Sequence, residues 1–457
     1  MIRQKAKRKE IKNLMVEKIQ YGKKTWREVE FRNVFPKRKT HRIIGMTFPR
    51  CDHNLGLEPS ILNVLPQGSN VEYSVENRCF NDDDVEMYMC SVYISGYDEF
   101  KEWAIQHDRT KIVVGGYHPT TFPEDFVKYA DKIVVGLCDD IWATIKQYGQ
   151  TVMGVVNNHN MPRRDLYDMK LNQQIIPDKK PDDLVMSINT STGCGMNPPC
   201  DFCCTPIMCP KLVSKPLEVV EDELDYMVRN YPDPVFLFIR DENFTMQKDW
   251  QKRLETIHGY LPHTKLYLFA SANTLTESAI KTMAKFGVYM ACLGLEDPTT
   301  EYKKNKTIDK NMKMMKANGV YTYLSFIVNP LKTIGREAGE AFYDILMKRI
   351  YELAPEMICG NFLMPFRGTK LWDDYYAYVS PDDYKYYNSK TPFLVRNPLG
   401  RQKMQFFMFW HQWQYFNSDF YNEKVRKFDV GDTLSVRFKE LYDEFTPLYE
   451  RIWDKRP

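Results

Sequence analysis

The stretch that decides the fold is LVMSINTSTGCGMNPPCDFCCTPIMC, residues 184–209. It opens on an apolar run without alternation, the pattern of a strand buried on both faces of a parallel sheet, and passes directly into a loop rich in Gly and Pro. On that loop Cys194, Cys200 and Cys203 are spaced Cx5CxxC, so one loop can fold three thiolates around one centre. Thiolates suit zinc or an iron–sulfur cluster. Zinc requires a fourth ligand to close its tetrahedron, for which Cys204 or Cys209 is available. A four-iron cluster held by only three Cys keeps one iron open for a substrate or cofactor, which is a catalytic arrangement. A redox role for the adjacent Cys203 and Cys204 is the weaker reading, because vicinal Cys are strained for disulfide exchange.

Downstream, strand and helix patterns alternate with regularity. Helix PLEVVEDELDYMV is followed by strand VFLFIR, helix QKDWQKRLETI, strand LYLFAS and helix TESAIKTMAKF. Strand VYMACLGLE, helix DKNMKMMKAN, strand YTYLSFIVN, helix REAGEAFYDILMKRIYEL and strand MICGNFLMP complete the run. Successive right-handed βαβ units of this kind build most of a barrel, six units and not eight, so residues 181–375 are read as a partial (β/α)6 barrel. Active residues of such a barrel belong at the carboxyl ends of its strands. The Cys loop, Asp241 to Asn243, Ser271, Asn273 and Glu296 all fall there.

Upstream, RIIGMTF, NVEYSV, VEMYMCSVYIS, KIVVGGYH and KIVVGL read as strands, with helix patterns in LEPSILNVL, FKEWAIQH and PEDFVKYA. Residues 42–150 therefore form a doubly wound, Rossmann-like α/β domain. Its glycines, Gly115 and Gly116 among them, fall just after strands, where such sheets open their ligand crevice. There is no GxGxxG for a dinucleotide. Residues 151–180 read as a polar linker, and residues 376–457 as a helical, aromatic-rich region whose stretch 403–421 packs on the barrel or walls a substrate.

The chain has 457 residues, 43% hydrophobic and 27% charged, a globular composition with ample core. Its formal net charge of +3 hides a basic arm: the first 42 residues hold 15 Lys and Arg against 4 Glu, so the remainder is net acidic. An arm over residues 1–41 reads as a solvated terminus or as a phosphate-binding anchor for nucleic acid. No run is long and apolar enough to span a membrane, and the basic start lacks the apolar block of a secretory signal. Eleven Cys, five of them within residues 194–209, fit metal-binding thiols in a reducing cytoplasm better than a disulfide scaffold.

With these features placed, residues 42–421 resemble the cobalamin-binding branch of the radical S-adenosylmethionine (SAM) superfamily. CDFC, with Phe202 before the last Cys, is similar to the family's cluster motif. RDENFT at 240–245 resembles its acidic turn after the second strand, GLE at 294–296 its fourth-strand Glu, and PFRGT at 365–369 its Pro-x-Pro-Gly-Thr turn. VVGGYHPTTFPEDFVKYADKIVVGLCDD looks like the last strands of its cobalamin domain. The departures are specific. The common spacing is Cx3CxxC, and here Asn197 to Pro199 form the bulge; Arg367 stands where Pro is usual; GLCDD replaces a Gly-Glu-Gly-Glu run, so contacts at Cys138 to Asp140 are not carried over. No DxHxxG is present, and His53 is read as a surface residue rather than a cobalt ligand.

The resemblance implies a 4Fe-4S cluster on Cys194, Cys200 and Cys203, whose open iron binds SAM and cleaves it to a 5'-deoxyadenosyl radical. It implies SAM contacts at Phe202, Asp241, Glu242, Asn243, Ser271 and Glu296. Cobalamin would lie on the loops after Phe48, Ser91 and Gly115–Gly116. The expected activity is cobalamin-dependent radical methylation of an unactivated centre, in the cytoplasm, with a flavodoxin- or ferredoxin-type reductant and an unidentified small-molecule or macromolecular substrate. The alternatives are a non-methylating radical oxidoreductase or cyclase, a radical enzyme anchored on nucleic acid by residues 1–42, and a zinc-stapled nucleic-acid-binding module.

Overall fold

The apolar runs become strands of two parallel sheets. The structure, a computed structural model, describes residues 42–48, 58–74, 79–172, 183–300, 305–333 and 335–426. The basic arm, the loop carrying His53, the end of the 151–180 segment and residues 427–457 lie outside the described residues. No helix among the described residues is long and apolar enough to cross a membrane.

The first sheet comprises β1 Arg42–Phe48, β2 Val71–Tyr73, β3 Val85–Val92, β4 Ile112–Gly115, β5 Lys132–Val135 and β6 Thr151–Met153, in the order β2-β1-β3-β4-β5-β6. The order reverses between β1 and β3, which is where an open α/β sheet splits its loops to make a crevice. Helices α1 Tyr97–Ala104, α2 Tyr117–Thr121 and α3 Ile141–Ile145 accompany it. Three sequence expectations are corrected. LEPSILNVL and PEDFVKYA form only the 3-10 turns Ser60–Asn63 and Pro123–Phe126. In each a proline fixes the first φ, and one short turn already buries Leu62 or Phe126. The segment read as linker begins with β6, which pairs with β5 and extends the sheet.

The second sheet comprises β7 Val185–Ile188, then, beyond the two-stranded ribbon of β8 Ser191–Thr192 and β9 Val213–Ser214, β10 Phe236–Ile239, β11 Lys265–Ala270, β12 Val288–Glu296, β13 Tyr321–Val328 and β14 Met357–Phe362. All six strands are parallel and lie in chain order. Helices α4 Thr205–Met208, α5 Leu217–Asn230, α6 Trp250–Tyr260, α7 Glu277–Lys285, α8 Ile308–Ala317 and α9 Arg336–Leu353 fall between them, followed by α10 Lys370–Tyr375 and α11 Pro398–Phe416. The result is an open half-barrel, matching the six-unit expectation.

An open barrel has two strand edges whose backbone groups need partners. At β14, Gln412 of α11 accepts from the Gly360 N–H (3.0 Å), and the Phe362 N–H donates to Ser389 (2.7 Å). Gly360 permits this cover: a Cβ there would meet the Phe326 ring at 2.7 Å and Met408 at 2.9 Å. At β7, side chains replace a neighbouring strand. Glu58 accepts from the Ser187 N–H, Arg164 donates to the Ser187 carbonyl, and Asn172 donates to the Val185 carbonyl. Arg164 also pairs with Glu223 at 2.6 Å, and Lys215 with Glu223 at 3.1 Å, so two buried cations face two buried carboxylates. The seam joins the segment after β1, the segment after β6 and α5.

Candidate functional site

The carboxyl ends of both sheets face one cavity of about 500 Å3. From the first sheet Ser91, Gly115, Gly116 and Gly136 line it; from the half-barrel come Asn189, Gly193, Arg240, Glu242 and Phe269. Gly116 adopts φ +105°, and a Cβ there would sit 3.1 Å from the Val92 carbonyl and 3.2 Å from Ser91 Oγ. Only glycine gives this turn without displacing β3.

The Cys loop borders the same cavity. Gly193, at φ +78°, brings the backbone so close to Lys211 that a Cβ would approach its carbonyl oxygen to 2.3 Å. The ribbon of β8 and β9 thus folds back and presents the following loop. Cys194, Cys200 and Cys203 are half-buried, with the Cys203 N–H donating to the Cys200 carbonyl (3.0 Å). Phe202 is half-buried between them. The PFRGT turn and α10 buttress this loop: Gly368 lies against Ile207, the Leu371 N–H donates to the Asp201 carbonyl, and Lys370 pairs with Asp201 at 3.1 Å. Among the described residues no three His, Cys, Asp or Glu side chains converge as ligands for one metal ion. A cluster asks for a wider spread, since each of its thiolates takes a different iron.

The acidic turn after β10 splits into three roles. Asp241 is fully buried and accepts from the backbone N–H and hydroxyl of both Thr190 and Ser191 and from Gln247. Burial pushes its carboxyl up while those donors oppose it. Its geometry is that of a clamp on the start of the Cys loop. Glu242 instead faces the cavity; enclosure by protein raises its carboxyl, with the Thr205 hydroxyl and the Arg240 guanidinium opposing. Asn243 donates to Ser271 Oγ (3.0 Å) at the end of β11. Glu296 ends β12 at φ +62°, where the register with β13 shifts. A non-glycine residue held there stores backbone strain, as residues at functional sites often do.

Ser91, Gly115, Gly116 and Glu242 are therefore brought to one cavity, which Gly193 at the root of the Cys loop also lines; the three Cys, Phe202, Asn243, Ser271 and Glu296 are not among its lining residues. Phe48 is not among them. It is fully buried, with its ring packed edge-on against Phe100 (5.5 Å) and tilted on Trp103 (5.6 Å), so the first domain's core takes its whole surface.

No protein-family model matches the chain. The fold is similar to that of TsrM from Kitasatospora setae, a radical S-adenosylmethionine methyltransferase described with cobalamin and a 4Fe-4S cluster bound. The TM-score is 0.51 at 15% identity, over 73% of this chain and 78% of that one. It is also similar to OxsB, a cobalamin-dependent S-adenosylmethionine radical enzyme described with aqua-cobalamin bound (TM-score 0.50, 15% identity, 77% of this chain and 59% of that one). At 15% identity, both likenesses are likenesses of fold. A curated relative, the bacteriochlorophyllide d C-8(2)-methyltransferase of Chlorobaculum tepidum, is 24% identical over 312 residues. That match takes in 61% of this chain and 65% of the relative, just under two thirds of its length.

Within this fold, sequence reasoning missed several cavity residues. Tyr117, directly after the glycine pair, lines the cavity and stacks on Tyr93 (5.7 Å). Burial raises the Tyr117 phenol well above its ordinary range, so it remains protonated. Asn158 and Asn160 come from the segment read as linker. Asp139, whose contacts were not carried over from the resemblance, lines the cavity and accepts from the Asn157 and Asn158 N–H groups (2.7 Å each). The polar run NNHN was the one signal for this loop.

Proposed function

We propose that the chain is a cobalamin-dependent radical SAM methyltransferase, with residues 42–150 as the cobalamin-binding domain and 181–375 as the radical SAM barrel. The observation that carries this reading is the single cavity onto which both sheets open, with Glu242 on the barrel side and Ser91, Gly115 and Gly116 opposite. The curated relative and TsrM are both methyltransferases, which favours methyl transfer over the oxidoreductase, cyclase and nucleic-acid-anchored alternatives.

The residues present fit the three groups this activity needs. Cys194, Cys200 and Cys203 would hold a 4Fe-4S cluster: they are half-buried on one loop shaped by Gly193 and buttressed by Asp201. Glu242, Asn243 with Ser271, Glu296 and the Phe202 backbone would contact SAM, and Asp241 fixes the loop between them. The glycine turn at 115–116 lets the backbone approach a broad ring or its nucleotide tail, and Ser91 and Tyr117 flank it. When bound, these groups supply one-electron cleavage of SAM and a transferable methyl group. The chain's part is to orient them, exclude water and keep Tyr117 protonated. A flavodoxin- or ferredoxin-type protein is the proposed reductant.

The test is anaerobic incubation of protein reconstituted with iron, sulfide and cobalamin, with dithionite and SAM, followed by mass spectrometry of the products. S-adenosylhomocysteine together with 5'-deoxyadenosine supports the methyltransferase. 5'-deoxyadenosine alone points to non-methylating radical chemistry, and the absence of both products refutes the reading.

A further inference from the structure

The interior of a (β/α) barrel is ordinarily filled by bulky branched side chains. One level of this half-barrel is not. In register across three strands lie Gly294 of β12, Ser325 of β13 and Cys359 of β14, with Ser271 at the end of β11. All four are small, and all are half-buried rather than buried. The alternate residues of β13, Thr322, Leu324, Phe326 and Val328, are fully buried on the opposite, helix-covered face. The level below carries Phe269, which also lines the main cavity, with Cys292 and Tyr323. These half-buried small residues wall a chamber in the barrel interior, one level along the strands from Phe269 of the cavity.

Its wall holds a nucleophile with a built environment. Lys390 Nζ donates to Cys359 Sγ (3.0 Å), the Gly360 carbonyl (2.8 Å) and Asn361 Oδ1 (2.9 Å). All three ammonium hydrogens therefore have acceptors, and the cation is committed to the thiol rather than free for an anionic ligand. Asn361 is tied to Ser325 Oγ (3.3 Å). The titratable groups that face Cys359 are Lys390, Tyr323 of β13, Cys292 of β12 and Tyr267 of β11. Burial alone would push the thiol up. The Lys390 charge, with hydrogen bonds from Lys390, Tyr323 and Asn361, outweighs it, and the net direction is down. Burial keeps both tyrosines protonated.

We propose that Cys359 is a thiolate held by Lys390 on the wall of the substrate chamber, and that it receives an N–H or O–H donor of the substrate. The chamber's role as substrate site rests on the proposed function; the state of the thiol does not. The class of ligand that fits is a neutral or cationic group bearing N–H or O–H. A carboxylate or phosphate would face the thiolate with no cation left to bind it.

The experiment is alkylation of the reconstituted protein by iodoacetamide across pH 6 to 10, with the rate at each Cys read by peptide mapping. Cys359 should titrate with a midpoint below the roughly 8.5 of a free thiol. Lys390→Met should slow its reaction at pH 7 about tenfold or more, each pKa unit being a factor of ten in thiolate. Lys390→Arg should preserve the low midpoint. If Lys390→Met does not fold, the wild-type profile and the Arg variant decide. A Cys359 that is unreactive at every pH, or a midpoint at or above that of a free thiol, overturns the proposal, as does a profile indifferent to Lys390→Met. SAM cleavage by the same wild-type preparation separates the two readings: cleavage with an unreactive Cys359 sinks only this inference, and a reactive Cys359 without cleavage sinks the proposed function and with it the chamber's substrate role, leaving the state of the thiol standing.

Discussion

The Glu58 carboxylate takes both the backbone N–H (3.0 Å) and the hydroxyl (2.7 Å) of Ser187, standing in for the strand that the half-barrel lacks beside β7. Through Arg164, which contacts Glu58 and Glu223, the same bonds tie the first sheet's segment to the barrel just before the Cys loop. The seam thus seals an edge and fixes how the two sheets face their common cavity.

Removing one charge from that seam leaves Arg164 and Lys215 short of a counter-ion in a dry interior. Glu223→Gln is expected to destabilise the fold by about 3–5 kcal/mol, the range for breaking a buried pair from one side. Chemical denaturation, compared with the wild type by its midpoint, checks this.

The same carboxylate predicts an acid limit. The charges and hydrogen bonds of Lys215 and Arg164 outweigh burial and hold Glu223 below its ordinary range. A depressed carboxylate contributes fully above its unfolded value of about 4.3, and that contribution drains as pH falls through the lower folded value. Melting temperature should therefore drop below about pH 4, and less steeply in Glu223→Gln.

Asp241→Asn replaces an acceptor of five hydrogen bonds by an amide that must donate with half of its head group. If the amide oxygen keeps the two backbone N–H groups, its NH2 faces the two hydroxyls, which can turn to accept, and the Gln247 Nε2 donor, which is then unmatched at a cost of about 1–3 kcal/mol. Lower iron retention after desalting should accompany the loss, because the clamp sits at the root of the Cys loop.

Gly116→Ala places a methyl 3.1 Å from the Val92 carbonyl in a backbone conformation alanine resists. Cobalamin affinity, read by absorbance titration of the reconstituted protein, should fall about tenfold or more, for a penalty near 1.4 kcal/mol.

Much of this was legible in the sequence because parallel strands buried on both faces announce themselves as unbroken apolar runs. RIIGMTF is β1 residue for residue, and the six barrel runs all became strands in chain order. What stayed hidden depended on contacts between distant segments. Phe48 reads as a strand-end cavity residue until Phe100 and Trp103 are seen around it. Asn158 reads as linker until β6 turns its segment back onto the sheet. Lys390 carries no motif; its meaning arises only from Cys359, 31 positions away.

The measurement that tests the central claim most directly is iron, cobalt and zinc per chain, on protein produced anaerobically with cobalamin supplied, in wild type and in Cys194→Ala, Cys200→Ala, Cys203→Ala and Cys204→Ala. The account predicts about four irons and one cobalt in the wild type, with iron lost in each of the first three variants and retained in the fourth. Zinc without iron, or iron that survives loss of Cys194, Cys200 and Cys203 alike, would contradict it.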